Sequence, residues 1–210
     1  MMFRELNERY YALLERLGVK DQDLRAEYFY DLIDKYSQPY RAYHNISHIA
    51  RCLSLFDLIP EGTTRYPDEL EFAIFYHDIF HFPWSGKNEE LSAEYAEWIA
   101  AYNLNIQTYS TIGYIINSTK KHGGGSMAAD LMCDIDLSIL GAPPDEFAIY
   151  NQQIKEEYTE VFPITLYRAE RLEVMNKFYN RTIRGGLFKT ILFADMFQEQ
   201  AKENLTKLLY

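Results

Sequence analysis

Apolar residues recur every three to four positions along almost the whole chain, the spacing of amphipathic helices. Phe3, Leu6, Tyr10, Leu13, Leu14 and Leu17 mark a first helix that Gly18 stops. Asp21 suits the cap of a second, running through Tyr28, Phe29, Leu32 and Ile33 to Tyr36. Pro39 discourages helix before it, so SQPYRAY reads as a loop, and a third helix runs from Asn45 to Leu58. Pro67, followed by Asp68 and Glu69, suits the first turn of a fourth, which carries FYHDIF and ends near Pro83. Asn88 is the expected cap of a fifth and Asn105 of a sixth, from Ile106 to about Lys120. Ser126 is placed to cap a seventh that ends at Gly141. APPDE and Pro163 open two more, and the RGG at 184–186 precedes a last apolar helix. Alternating β-branched runs are missing. The pattern predicts an all-α bundle of about nine or ten helices forming one domain over 1–210, with no repeat and no linker.

Composition narrows this picture. The 210 residues are 48% hydrophobic, enough for a core without disulfides. Cys52 and Cys133 lie in apolar periodic segments and read as reduced, buried thiols. The N-terminus carries charges where a signal peptide needs an apolar stretch, and no apolar run reaches membrane-span length. A cytoplasmic protein with no membrane partner is expected. The net charge of −10 argues against coating a nucleic-acid polymer, but not against a small anionic substrate. The 18 tyrosines and 13 phenylalanines read as core volume. The apolar C-terminal helix either completes the core or forms a homodimer face.

Certain polar residues interrupt the apolar pattern. Four of the five histidines form two pairs spaced four apart, His44 with His48 and His77 with His81, on separate predicted helices. Asp134 and Asp136 break the apolar run LMCDIDLSIL. Any one of these taken singly reads as a satisfied core residue. Buried carboxylates need a metal, a hydrogen-bond set or a cation, and imidazole is the commonest metal ligand. A shared metal accounts for polar intrusions on three apolar helices at once. His77 to His81 also forms H-D-x-x-H, close to the zinc-protease H-E-x-x-H, but Asp78 is one methylene short of glutamate.

The ordered segments PYRAYHNISH, YHD, NEELSA, STKKH and DIDLSILG, over about residues 39–141, resemble a bacterial branch of the HD superfamily of metal-dependent phosphohydrolases. The helices of 143–210 resemble that branch more loosely and are expected to pack on the motif region. The resemblance implies an HD-type fold and a metal held by His48, His77, Asp78 and Asp136, with Asp134 as the competing last ligand. It implies one or two ions of Mn, Fe, Co, Ni, Zn or Mg. Glu89 or Glu90, after Asn88, is expected to assist a water as base or orienter. Glutamates there also suit the helix dipole. Asp78 itself is expected to help hold that water. Arg41, Lys87, Lys120 and Lys121 are expected to supply positive field for a phosphate, with Lys121 nearest the chemistry; Lys120 and Lys121 equally suit an ordinary helix end. His44 and His122 are placed as substrate or supporting residues, His122 alternatively as a plain loop residue, and His81 as a bystander near the site.

The implied activity is hydrolysis of a phosphomonoester or phosphodiester of a small molecule, a nucleotide among the candidates, by metal-activated water. Two alternatives carry different chemistry. Spare histidines suit a di-iron oxygenase of HD fold, and loss of catalysis on a retained fold would leave a ligand-binding module.

Overall fold

A computed structural model describes residues 3–103 and 106–210, without the side chains of residues 3, 102 and 103. Among the described residues it holds ten α-helices and no strand. They are α1 (Phe3–Arg16), α2 (Gln22–Tyr36), α3 (Ile46–Phe56), α4 (Pro67–Tyr76), α5 (Asn88–Trp98), α6 (Tyr109–Ser118), α7 (Met127–Leu137), α8 (Pro144–Thr159), α9 (Ile164–Arg184) and α10 (Ile191–Leu209). A π turn, Ile99–Asn103, follows α5, and a 3₁₀ turn, Ser138–Gly141, follows α7. None of the described helices is long and apolar enough to cross a membrane. The chain forms two compact units, up to Met132 and from Cys133 to Tyr210. The boundary falls inside α7, where no linker composition marks it.

Local capping chemistry behaves as the residue types require. The Asp21 side chain accepts from the backbone N–H of Asp23 and Leu24, and Asn45 from that of Ser47. Ser126 Oγ accepts from Ala129 N at 3.3 Å. Asn88 differs from expectation. It is the first helical residue of α5, not its cap, and its side chain turns back to the Phe82 backbone, donating to O at 3.0 Å and accepting from N at 3.1 Å. Asn105, the expected cap of α6, lies outside the described residues.

In the first unit α4 is the centre. Every residue from Glu69 to Tyr76 is buried, so this helix is covered on all sides and shows no one-sided apolar stripe. It packs against α1, α3, α5 and α6. Tyr10 and Tyr76 share a hydrogen bond at 2.6 Å, inside an aromatic cluster with Phe29 and Phe75. Glu71, 3% exposed, would be a costly buried carboxylate were it not paired with both Arg9 and Arg16. The helix stops at Tyr76, well short of Pro83, so FYHDIF is split: Phe75 and Tyr76 are helical, while His77 caps the end and Asp78 lies in the turn that follows.

In the second unit α8 and α10 pack on the 3₁₀ turn, and α9 packs on both of those helices. Asn204 of α10 donates to Leu140 O at 2.9 Å and Ala142 O at 2.8 Å. A Cβ on Gly141 would lie 2.5 Å from Phe197 O, so only glycine allows this approach.

Candidate metal centre

The first unit builds its site on the turn that ends α4 and the first turn of α3. His48 is 3% exposed and His77 1%. Their Nε2 atoms lie 3.1 Å apart. Asp78 Oδ2 lies 3.1 Å from His77 Nε2 and 3.5 Å from His48 Nε2. Three metal-capable atoms therefore form a triangle, each presented by a separate side chain.

The His77 tautomer follows from its surroundings. Nδ1 lies 2.9 Å from Ile74 O. A carbonyl only accepts, so Nδ1 carries the proton and donates, and the lone pair of neutral His77 sits on Nε2, facing His48 and Asp78. A backbone carbonyl that orients a ligating imidazole in this way is the usual support of a histidine metal ligand. The donor set fits a cation: bonds of about 2.1 Å to both nitrogens, 3.1 Å apart, subtend close to a right angle. These buried histidines and the aspartate could hold a metal ion.

Arg41 holds the turn in place. The residue is 6% exposed, and its guanidinium donates to three carbonyls, His44 O at 2.8 Å, Asp78 O at 2.7 Å and Ile79 O at 2.8 Å. It stacks over Tyr36 at 5.0 Å. Burial, with the Asp78 charge adding to it, pushes the Tyr36 hydroxyl pKa well above its ordinary value. Arg41 thus fixes the main chain of Asp78 and Ile79 in the turn beyond α4. Its guanidinium serves the backbone here, where the sequence suggested a phosphate.

The two histidine pairs exchange partners. His48 faces His77, and His44 stacks on His81 with ring centroids 3.8 Å apart and planes 23° from parallel. His81 is 5% exposed, so the expected bystander is buried in the same cluster. Two neighbours escaped the sequence reading: Cys52 Sγ lies 3.7 Å from His48 Nε2, and the Tyr43 ring 4.9 Å from the His48 ring. Cys52 stands one helical turn after His48, a spacing that could have pointed to it.

The two glutamates separate clearly. Glu90 pairs with Lys120, whose hydrogen bond holds the carboxyl below the usual range, and Lys120 also donates to Gly86 O at 2.7 Å. Glu89 is half-buried; burial pushes its carboxyl above the usual range, Asp78 adds to the rise and Lys120 opposes it. Asn88 and Ser92 staple the loop between Asp78 and α5 by hydrogen bonds to Phe82 and Phe80. Lys87 and Lys121 are exposed. His122 is half-buried, with φ 47°, in the left-handed region that non-glycine residues seldom occupy. Its N–H donates to Thr119 O at 3.2 Å.

In the second unit the two aspartates of α7 also separate. Asp134 is fully buried and accepts from Lys189 N and Thr190 N, both at 2.8 Å, and from Thr190 Oγ1 at 2.7 Å. It ties α7 to the start of α10, where Thr190 is the cap. Asp136 is half-buried two residues on. Compared with known proteins, the chain matches no family model, no curated protein and no solved structure.

Proposed function

We propose that the protein is a metal-dependent phosphohydrolase acting on a small phosphorylated molecule, with nucleotides the first class to test. The observation that carries this reading is the buried triangle of His48, His77 and Asp78, with the His77 lone pair aimed into it by Ile74. Asp136 is the fourth ligand in this reading, since the Asp134 carboxylate already serves Lys189 and Thr190. Neutral imidazole with carboxylate suits the divalent ions from Mn to Zn, and Mg through its oxygens. Bound there, such an ion supplies Lewis acidity toward a phosphate oxygen and acidifies a water.

The remaining roles belong to the chain's own residues. Glu89, with its raised pKa, takes a proton from the attacking water as general base. Arg41 is a positioning residue that acts through the Asp78 backbone. Lys121, with Lys87, attracts and orients the anionic substrate from the surface. Lys120 sets the charge around both glutamates. His44 and His122 are assigned to the substrate side, and Asn88 to the loop that bounds it.

Purified protein assayed with a panel of divalent metals against phosphomonoesters, phosphodiesters and nucleotides tests the reading. Metal-dependent phosphate release that vanishes in His77→Ala and in Asp78→Ala is expected. Release that survives both substitutions overturns it. Two histidines and one carboxylate on one face also suit an Fe(II) oxygenase. Iron content with oxygen uptake, and no phosphate release, would select that second reading.

A further inference from the structure

The second unit carries a feature that the metal centre does not use. A groove of about 420 Å³ opens among α8, α9 and α10. Its apolar wall comes from Phe147, Tyr167 and Leu208, and its polar positions include Asn151, Lys155 and Lys207. The volume falls in the range of small-molecule sites, about 300–1,000 Å³.

The charge in and behind this groove is unusual for a chain of net charge −10. Lys155 and Lys207 are exposed, and neither ammonium has a hydrogen-bond or carboxylate partner among the described residues. Behind the wall sits a third cation. Arg171 of α9 donates to Asn151 Oδ1 at 2.9 Å and stacks over Tyr150 at 5.0 Å. It too has no carboxylate partner among the described residues, and its Nε is buried without an acceptor. Burial opposes its charge, but Tyr150, which also hydrogen-bonds it, outweighs this and raises its pKa above the ordinary value. Asn151, whose oxygen is taken by Arg171, links this cation to the groove wall. Burial also pushes the Tyr167 hydroxyl pKa up, so it stays a neutral phenol. Lysines from two helices thus face one concavity whose wall is aromatic and aliphatic, with Arg171 behind that wall.

We propose that this groove binds a small organic anion with a flat apolar body, its carboxylate or phosphate head between Lys155 and Lys207 and its body along Phe147, Tyr167 and Leu208. The head meets two cations that the protein itself leaves unpaired, and the ring of the ligand stacks where the groove is apolar. The site stands apart from the metal reading and is tested without it.

The experiment titrates the full chain, in EDTA, with the fluorescent anion 8-anilino-1-naphthalenesulfonate, and competes it with 2-naphthoate, 1-naphthylphosphonate and neutral 2-naphthalenemethanol. One saturable site is expected, displaced by one or both naphthyl anions and at least about tenfold less well by the neutral alcohol. The two anions tell a carboxylate head from a phosphate head. Lys155→Glu/Lys207→Glu reverses exposed charges and is expected to weaken binding at least about tenfold with an unchanged melting temperature. Ala148→Trp, at an exposed lining position, fills the groove without touching a charge and is expected to abolish binding. Equal affinity for the alcohol, or binding that survives both variants, overturns the proposal. Because no metal or turnover is involved, failure of the phosphohydrolase reading leaves this result intact.

Discussion

Asp78 in the first unit and Asp134 in the second begin from the same local circumstance, a carboxylate inside an apolar run, and reach opposite solutions. Asp134 is satisfied by the chain itself: two backbone N–H groups and one hydroxyl fill its oxygens, and it locks one helix to the next. Asp78 has its backbone oxygen, not its carboxylate, gripped by Arg41, and the carboxylate is turned toward two imidazole nitrogens. A buried acid whose partners are backbone donors stabilises a fold. A half-buried acid turned toward imidazole nitrogens could instead help hold a cation.

The sharpest break of this contrast is His77→Ala. Loss of the bound metal and at least about a thousandfold loss of phosphate release are expected, read by elemental analysis and assay on the same preparation. Asp134→Ala is expected to act on the other side of the comparison. It strands two buried N–H donors and should lower the unfolding free energy by about 3–5 kcal/mol, measured by urea denaturation, with metal per folded chain unchanged. A metal-free but stable Asp134→Ala protein would exchange the roles of Asp134 and Asp136.

Glu89→Gln is expected to cut turnover by about a hundredfold. Its signs with pH are defined. A carboxyl whose folded pKa is raised contributes stability below the ordinary carboxylate range and loses it as pH rises through the folded pKa. Glutamine removes that loss, so the variant should melt no lower than the parent at neutral pH. As the base, Glu89 must be ionised, so parental activity should climb with pH through that same raised pKa. An acid limb at the ordinary carboxylate pKa, or one that persists in Glu89→Gln, removes Glu89 from the reaction.

Arg41→Met should weaken metal binding by about 10- to 100-fold through the freed Asp78 turn. Methionine and lysine should not differ greatly, since a lone ammonium cannot span three carbonyls; a complete rescue by lysine would point instead to a simple charge effect. The smallest change is expected from Lys120→Met, which removes an exposed ion pair. Its melting temperature should move little, while the pKa of Glu90 rises and that of Glu89 rises further.

The chain alone determined what short-range chemistry decides. Helical class, the starts of α2, α3 and α7, and the caps Asp21, Asn45 and Ser126 were legible, because a cap's donors lie two or three residues away. So was the set of polar residues that do not belong in an apolar run. The end of α4 was not legible. Neither glycine nor proline marks the place, and the turn that follows is held by Arg41, 37 residues before Asp78. Spacing of four alone paired His44 with His48 and His77 with His81; the family resemblance brought His48 to His77, as packing does, but nothing in the sequence stacked His44 on His81. Asp134 and Asp136 were indistinguishable by type and setting until Lys189 and Thr190, 55 and 56 residues away, claimed the first. Local hydrogen bonds are written in the order of residues; which buried polar atom meets which is settled only when distant helices close on one another.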